Sequence, residues 1–150
     1  MRILFTILIF AGLFCSCSKS PKCWGDDRNK GIINTSILIN CFPTTYQDNF
    51  IITTDSAYQK IFSDTLTGQT VCNLPTIDFS TYSLLGQRAS GQCEVKFIRE
   101  ATRIDSEKKY HYKVTVKSCG LCKKEAFGDN WVTVPKVPSG WTVTFEIDEK

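Results

Sequence analysis

Chemistry-bearing residues are scarce in this chain of 150 residues, which has a single histidine, His111. It contains no G-x-G-x-x-G, no P-loop and no D-x-[DN]-x-[DN]-G loop, so phosphate cradles and calcium loops of those kinds are excluded. Charge of one sign is also in short supply. Lys and Arg number 18 against 15 Asp and Glu, a net +3, too weak a field to make nucleic acid a main partner. Internal repeats and low-complexity tracts are missing as well. With 22% charged and 12% aromatic residues, the chain has enough apolar surface to collapse, which excludes a disordered protein.

The longest feature at the start is an apolar run over residues 3–14, broken only by Thr6 and Gly12. A helix needs about 20 apolar residues to cross hydrocarbon, so this run is too short for a permanent span. After Met1-Arg2 it matches the apolar region of a secretory signal. Cys15-Ser16-Cys17 follows in place of an A-x-A site. A cysteine after a small residue at this point resembles a bacterial lipoprotein signal, in which the cysteine is acylated and becomes the new N-terminus. Cys17, preceded by Ser16, is the expected lipidation site, whereas Cys15 follows bulky Phe14. Residues 1–16 are then the signal peptide, and residues 17–32 the lipidated cysteine and a polar tether. An ordinary secretory signal with incidental cysteines is the alternative. Two or three acyl chains would hold a domain on a membrane where one would not. The expected location is the cell envelope, lipid-anchored, with the outer membrane ahead of the inner.

Six cysteines remain: Cys23, Cys41, Cys72, Cys93, Cys119 and Cys122. An even number in an exported chain reads first as a disulfide framework. Flanking extended segments favour Cys93 with Cys122, and Cys41 with Cys72 would staple the helical region to the strand before it. Cys119-Gly120-Leu121-Cys122 is also a C-x-x-C. A redox pair there would want a low-pKa thiolate at a helix N-terminus within a β-α-β frame. Lys123 and Lys124 would lower the thiol pKa, but the frame is missing. A zinc site lacks a second ligand pair at suitable spacing. Structural cross-links are the first reading, and thiol–disulfide chemistry at Cys119 and Cys122 is the alternative.

The rest of the chain predicts a single domain over residues 33–150. Residues 36–40 and 50–53 suit strands, and Thr54-Asp55-Ser56 offers a helix cap. Ala57, Tyr58, Ile61 and Phe62 line one face of a short helix. Residues 82–87 suit a buried strand. Cys93, Val95 and Phe97 alternate with charged neighbours, and Ile98, out of phase, predicts a bulge. Residues 105–109 are a hydrophilic connection. Tyr110, Tyr112, Val114 and Val116 then alternate strictly with His111, Lys113, Thr115 and Lys117, the period of a strand. Residues 131–134 form a short strand closed by Pro135 and Pro138, suited to a sheet edge. Trp141, Val143, Phe145 and Ile147 alternate in a last strand. The fold class is α+β: a mainly antiparallel sheet with one short helix near its start, stabilised by disulfides.

The stretch Ile77-Asp78-Phe79-Ser80-Thr81-Tyr82, with Leu84-Leu85-Gly86-Gln87 after it, resembles the opening of the C-terminal domain of PrcB-type protease-complex accessory lipoproteins. The resemblance extends over residues 75–147. The family's T-G-G-Y-like turn falls on Ala89-Ser90-Gly91-Gln92-Cys93, where the second glycine and the tyrosine are absent. The resemblance implies a protein that binds and stabilises another envelope protein, a protease complex, and has no chemistry of its own.

The residues themselves give little catalytic signal. His111 shares its parity with lysines and belongs to the solvated sheet face. Asp26 and Asp27 read as solubilising residues of the tether, and Asp78 as a turn cap beside Ser80. Trp131, Pro135 and Pro138 are the candidate recognition residues, since aromatics supply large contact areas. No metal, cofactor or catalytic residue is expected. The function expected is a non-enzymatic binding or accessory module.

Overall fold

The computed structural model describes residue 25 and residues 27–41, 47–63, 74–120 and 122–150. Cys17, Cys23 and Cys72, the signal peptide and most of the tether lie outside the described residues. Among the described residues eight strands are present: β1 (Arg28–Gly31), β2 (Thr35–Ile37), β3 (Asn49–Ile52), β4 (Tyr82–Gln92), β5 (Glu94–Ile104), β6 (Lys109–Cys119), β7 (Glu125–Pro135) and β8 (Thr142–Glu149). The helix α1 (Asp55–Ser63) stands between β3 and β4. The protein is thus mostly sheet with one short helix, as the alternating patterns require.

The strands form two sheets of four, ordered β1-β5-β6-β8 (sheet A) and β2-β7-β4-β3 (sheet B). They pack face to face, β4 across β6 and β7 across β5. The core between them includes Leu85, Ala89, Phe97, Tyr110, Tyr112, Val114, Val116, Val132 and Val134. A second core covers the opposite face of sheet B, where α1 brings Tyr58 and Phe62 against Phe50, Ile52, Leu84 and Trp131. Sheet B is therefore buried on both sides, which is why residues 83–86 read as a run rather than an alternation. Thr54 caps α1 by accepting a hydrogen bond from Ala57 N at 3.2 Å, satisfying one of the orphan donors of the first turn.

The centre of the fold is one long antiparallel ribbon folded over on itself. β5 pairs with β6 from Ile104↔Lys109 to Glu94↔Cys119, and β4 pairs with β7 from Gln92↔Glu125 to Tyr82↔Pro135. Between the two ladders, residue 93 alone separates Gln92 from Glu94 on one side, while on the other a longer segment separates Cys119 from Glu125. This unequal count bends the ribbon and sends its halves into different sheets. Cys93 takes the left-handed conformation, φ 65°, and its N–H donates to Lys124 O at 2.8 Å. The disulfide Cys93–Cys122, with Cα atoms 5.3 Å apart, clasps the bend.

The bend corrects one sequence expectation. No bulge occurs at Ile98, where the β5–β6 register runs uninterrupted. Ile98 is simply an apolar residue on the outer face, because inward parity belongs to Val95, Phe97, Arg99 and Ala101. Three further expectations are revised. Residues 28–31 are strand β1, parallel to β5, so the folded domain begins before residue 33. Asp27 is structural: its carboxylate accepts from Phe97 N at 3.0 Å and pairs with Arg99 at 3.0 Å. β7 has 11 residues and lies inside its sheet, flanked by β4 and β2, so it is not an edge strand. Pro135 is tolerated because it ends the strand. Finally, β8 pairs parallel to β6, a relation that alternation within one strand cannot disclose.

Candidate functional site

The outer face of sheet A carries the densest polar chemistry in the described structure. Strict alternation along β5, β6 and β8 turns Phe97, Tyr112 and Phe145 inward and leaves the intervening side chains facing out. Register then sets them in cross-strand rows. Lys30, Glu100, Lys113 and Glu146 lie side by side on β1, β5, β6 and β8, with alternating sign. On one flank stand Ile98, Thr115 and Asp148, and on the other Thr102, His111 and Thr144. All of these except Thr144, joined by Lys117 and Lys150, line an open cleft of about 640 Å³.

Lys113 is the hub of this face. Its ammonium donates to Glu146 Oε1 at 2.7 Å and meets Asp148 Oδ2 at 3.2 Å. Lys150 adds a contact to Asp148 at 3.5 Å. These hydrogen bonds from Lys113 hold the carboxyls of Glu146 and Asp148 below their ordinary values, and the reciprocal bonds raise the Lys113 ammonium. His111 extends the network: Nε2 lies 3.1 Å from Glu146 Oε2, and Nδ1 lies 3.1 Å from Thr144 Oγ1. One carboxylate of β8 is thus shared by a lysine and a histidine of β6. Charges paired across strands in this way fix the register of the parallel β6–β8 pair and present a mosaic of both signs.

His111 stands on the solvated face as its parity predicts. Asp78 also takes its expected place, accepting from Ser80 N at 3.0 Å; the Ser80 hydroxyl bond, with further bonds from Ser80 and Thr81, lowers its carboxyl pKa. The proposed recognition residues separate. Trp131 is 2% exposed and packs between Phe50 and Phe62, with ring centroids 5.1 and 5.3 Å away. It is a core residue of sheet B, because interior strand β7 turns it toward α1. Pro135 is exposed and Pro138 half-buried in the connection to β8. Sequence reasoning put Lys113, Glu146 and Asp148 on outward parity but could not join them, since nothing in either strand announces that β6 and β8 are neighbours.

The described cysteines fall into cross-links. Cys93 is bonded to Cys122, and Cys41 and Cys119 are also disulfide-bonded. Cys119 and Cys122 are therefore not bonded to each other. The suggested Cys41–Cys72 pairing and any role of Cys23 involve cysteines outside the described residues. Among the described residues no group of three or more His, Cys, Asp or Glu side chains is arranged to hold a metal ion.

Compared with protein families, curated proteins and solved structures, the chain matches none of them.

Proposed function

We propose that the chain is a lipid-anchored envelope protein that binds another envelope protein and performs no chemistry of its own. The observation that carries this reading is the use of its thiols. Four of the described cysteines, Cys41, Cys93, Cys119 and Cys122, are engaged in disulfides, the state of an exported chain in an oxidising compartment. The apolar run before Cys17 supplies the matching route of export and the acylation site. Recognition is assigned to the outer face of sheet A, not to Trp131. Its row of alternating charge suits the mixed-charge surface of a protein better than the uniform charge of a nucleic acid. The similarity of residues 77–87 to PrcB-type accessory lipoproteins makes a protease complex the partner to look for first.

The anchor is tested by Cys17→Ala, which should release the protein from the membrane fraction; unchanged association removes the lipid from the argument. Partner binding is tested by affinity capture of the intact lipoprotein in gentle detergent. Co-purification of a defined envelope protein, lost when Lys113 and Glu146 are both replaced by alanine, supports the reading. Capture of no partner counts against it. A redox role for Cys119 and Cys122 gives a different result: one thiol trapped rapidly by iodoacetamide after mild reduction, while structural bridges resist until the domain unfolds.

A further inference from the structure

Two sheets present four edges, and three of them end in short strands: β1 and β3 have 4 residues each and β2 has 3, although beyond β2 the stretch 125–130 of β7 has no strand on that side among the described residues. The fourth is β8, with 8 residues and neither proline nor bulge. Among the described residues no strand pairs with its far side. An open edge of this length is a template for pairing with another chain.

The hydrogen bonds of β8 state which residues are free to pair. Thr142 N donates to Lys108 O at 3.1 Å and Lys150 N to Val116 O at 3.0 Å. Even-numbered residues therefore turn their backbone groups to β6. Val143, Phe145, Ile147 and Glu149 turn theirs outward, since successive residues of a strand alternate. The side chains add an apolar seam. Ile147 is in register with the core residue Val114, so it points to the inter-sheet side, yet it is 43% exposed. β3 closes sheet B at the same end of the sandwich. Its Ile51, in register with the core residue Leu85, is 48% exposed.

We propose that β8 pairs antiparallel with β8 of a second copy of this chain, about a two-fold axis at Phe145. The partner is fixed by self-complementarity. An antiparallel ladder must set outward-turned residues opposite outward-turned residues, which confines the axis to a residue position. An axis at Glu146 opposes that carboxylate to its own copy, and an axis at Ile147 opposes Glu146 to Asp148. Like charges directly opposite are destabilising. An axis at Thr144 avoids this but shortens the ladder. An axis at Phe145 sets Ile147 against Val143, Phe145 against its twin, Glu146 against Thr144 and Asp148 against Thr142. The apolar seam is then covered, each carboxylate keeps its Lys113 bond, and the two A sheets become one.

Sedimentation velocity of the full chain, in mild detergent with micelles in large excess, tests the proposal when combined with residue-resolved hydrogen exchange. A dimer should form as concentration rises. The amides of Val143, Phe145 and Ile147 should become protected with it, while those of Thr144, Glu146 and Asp148 are protected throughout. Thr144 is exposed, so two substitutions there leave the fold intact and act oppositely. Thr144→Lys faces Glu146 of the copy and should tighten the dimer, and Thr144→Glu should weaken it, each roughly tenfold through its two symmetric pairs. A monomer at every concentration overturns the proposal. So does a dimer that leaves those three amides exchanging freely, or one that both substitutions shift the same way.

Discussion

Trp131 occupies the space that a side chain on Gly86 would need. The two residues face each other across the β4–β7 ladder, and a Cβ on Gly86 would stand 2.1 Å from Cζ3 of the indole. The missing side chain lets the ring lie close to β4 and still reach Phe62 of α1, 5.3 Å away between centroids. The glycine thus sets how closely the helix layer approaches sheet B. Gly86→Ala should cost about 1–3 kcal/mol through overpacking, read as a lower midpoint in thermal or denaturant unfolding. Combining it with Trp131→Leu should give a smaller loss than the two single losses added, because the clash goes with the ring. An alanine variant as stable as the parent would show that the indole has room to move.

The bend at Cys93 makes a second prediction. The bridge to Cys122 closes a loop of 29 residues containing the β5–β6 hairpin. In the chain-entropy account such a loop is worth about 3–4 kcal/mol, through restriction of the unfolded chain. The double variant Cys93→Ala, Cys122→Ala should lose stability on that scale while keeping its strand content, because the ladders on either side hold their own registers. A far-ultraviolet spectrum that collapses at ambient temperature would mean that the disulfide forms the bend rather than clasping it.

Alkaline pH should unfold the protein through its buried phenols. Burial is the main cause that raises Tyr58 to about 12, with the neighbouring Asp55 adding to it; burial likewise raises Tyr112. Each hydroxyl donates to a carbonyl, Tyr58 to Pro75 O at 3.2 Å and Tyr112 to Asn130 O at 3.0 Å. A raised folded-state pKa adds stability that is complete below the unfolded value near 10 and is lost as pH rises through the folded one. Stability should therefore fall between about pH 10 and 12. Phenolate absorbance should appear in two stages, the second coinciding with unfolding. Tyr58→Phe, free of this ionisation, should move the alkaline midpoint upward; an unmoved midpoint assigns the transition elsewhere.

Much of the architecture is legible in the sequence where one physical signal dominates. Tyr110 to Lys117 alternate because one face of β6 meets the core and the other meets water, and that contrast is written residue by residue. The cap at Thr54 is equally local. What could not be read is whatever depends on which strands are neighbours. The parallel β6–β8 pair brings Lys113 to Glu146 across a separation of 33 residues, and no pattern within either segment encodes the meeting. Trp131 misleads for a related reason: the prolines after it suit an edge, but β2 and β4 flank β7 and bury the ring. The bend at Cys93 is not legible either: a single out-of-phase apolar residue such as Ile98 looks like a bulge, whereas the real surplus lies in the segment between Cys119 and Glu125 on the opposite strand.

Acid should loosen β8 from β6, and Lys113 is the residue that decides it. Its hydrogen bonds are the leading cause that lowers Glu146 and Asp148 below their ordinary values of 4.5 and 3.8. A depressed carboxyl adds stability above its unfolded pKa and loses it as pH falls through the folded one. The raised Lys113 ammonium behaves oppositely: its contribution is complete below the ordinary lysine value and lost at high pH. The β6–β8 tie should therefore be tightest in the wide interval between, and added salt should weaken it because the face is open to solvent. Lys113→Met removes the donor but keeps the length of the side chain. In that variant the carboxyl resonances of Glu146 and Asp148 should titrate at higher pH than in the parent, and β8 amides should exchange faster than the parent's at neutral pH, a difference that closes as acid protonates the parent's carboxyls, with little change in global stability. Identical carboxyl midpoints in the two proteins would mean that Lys113 sits beside these groups without holding them.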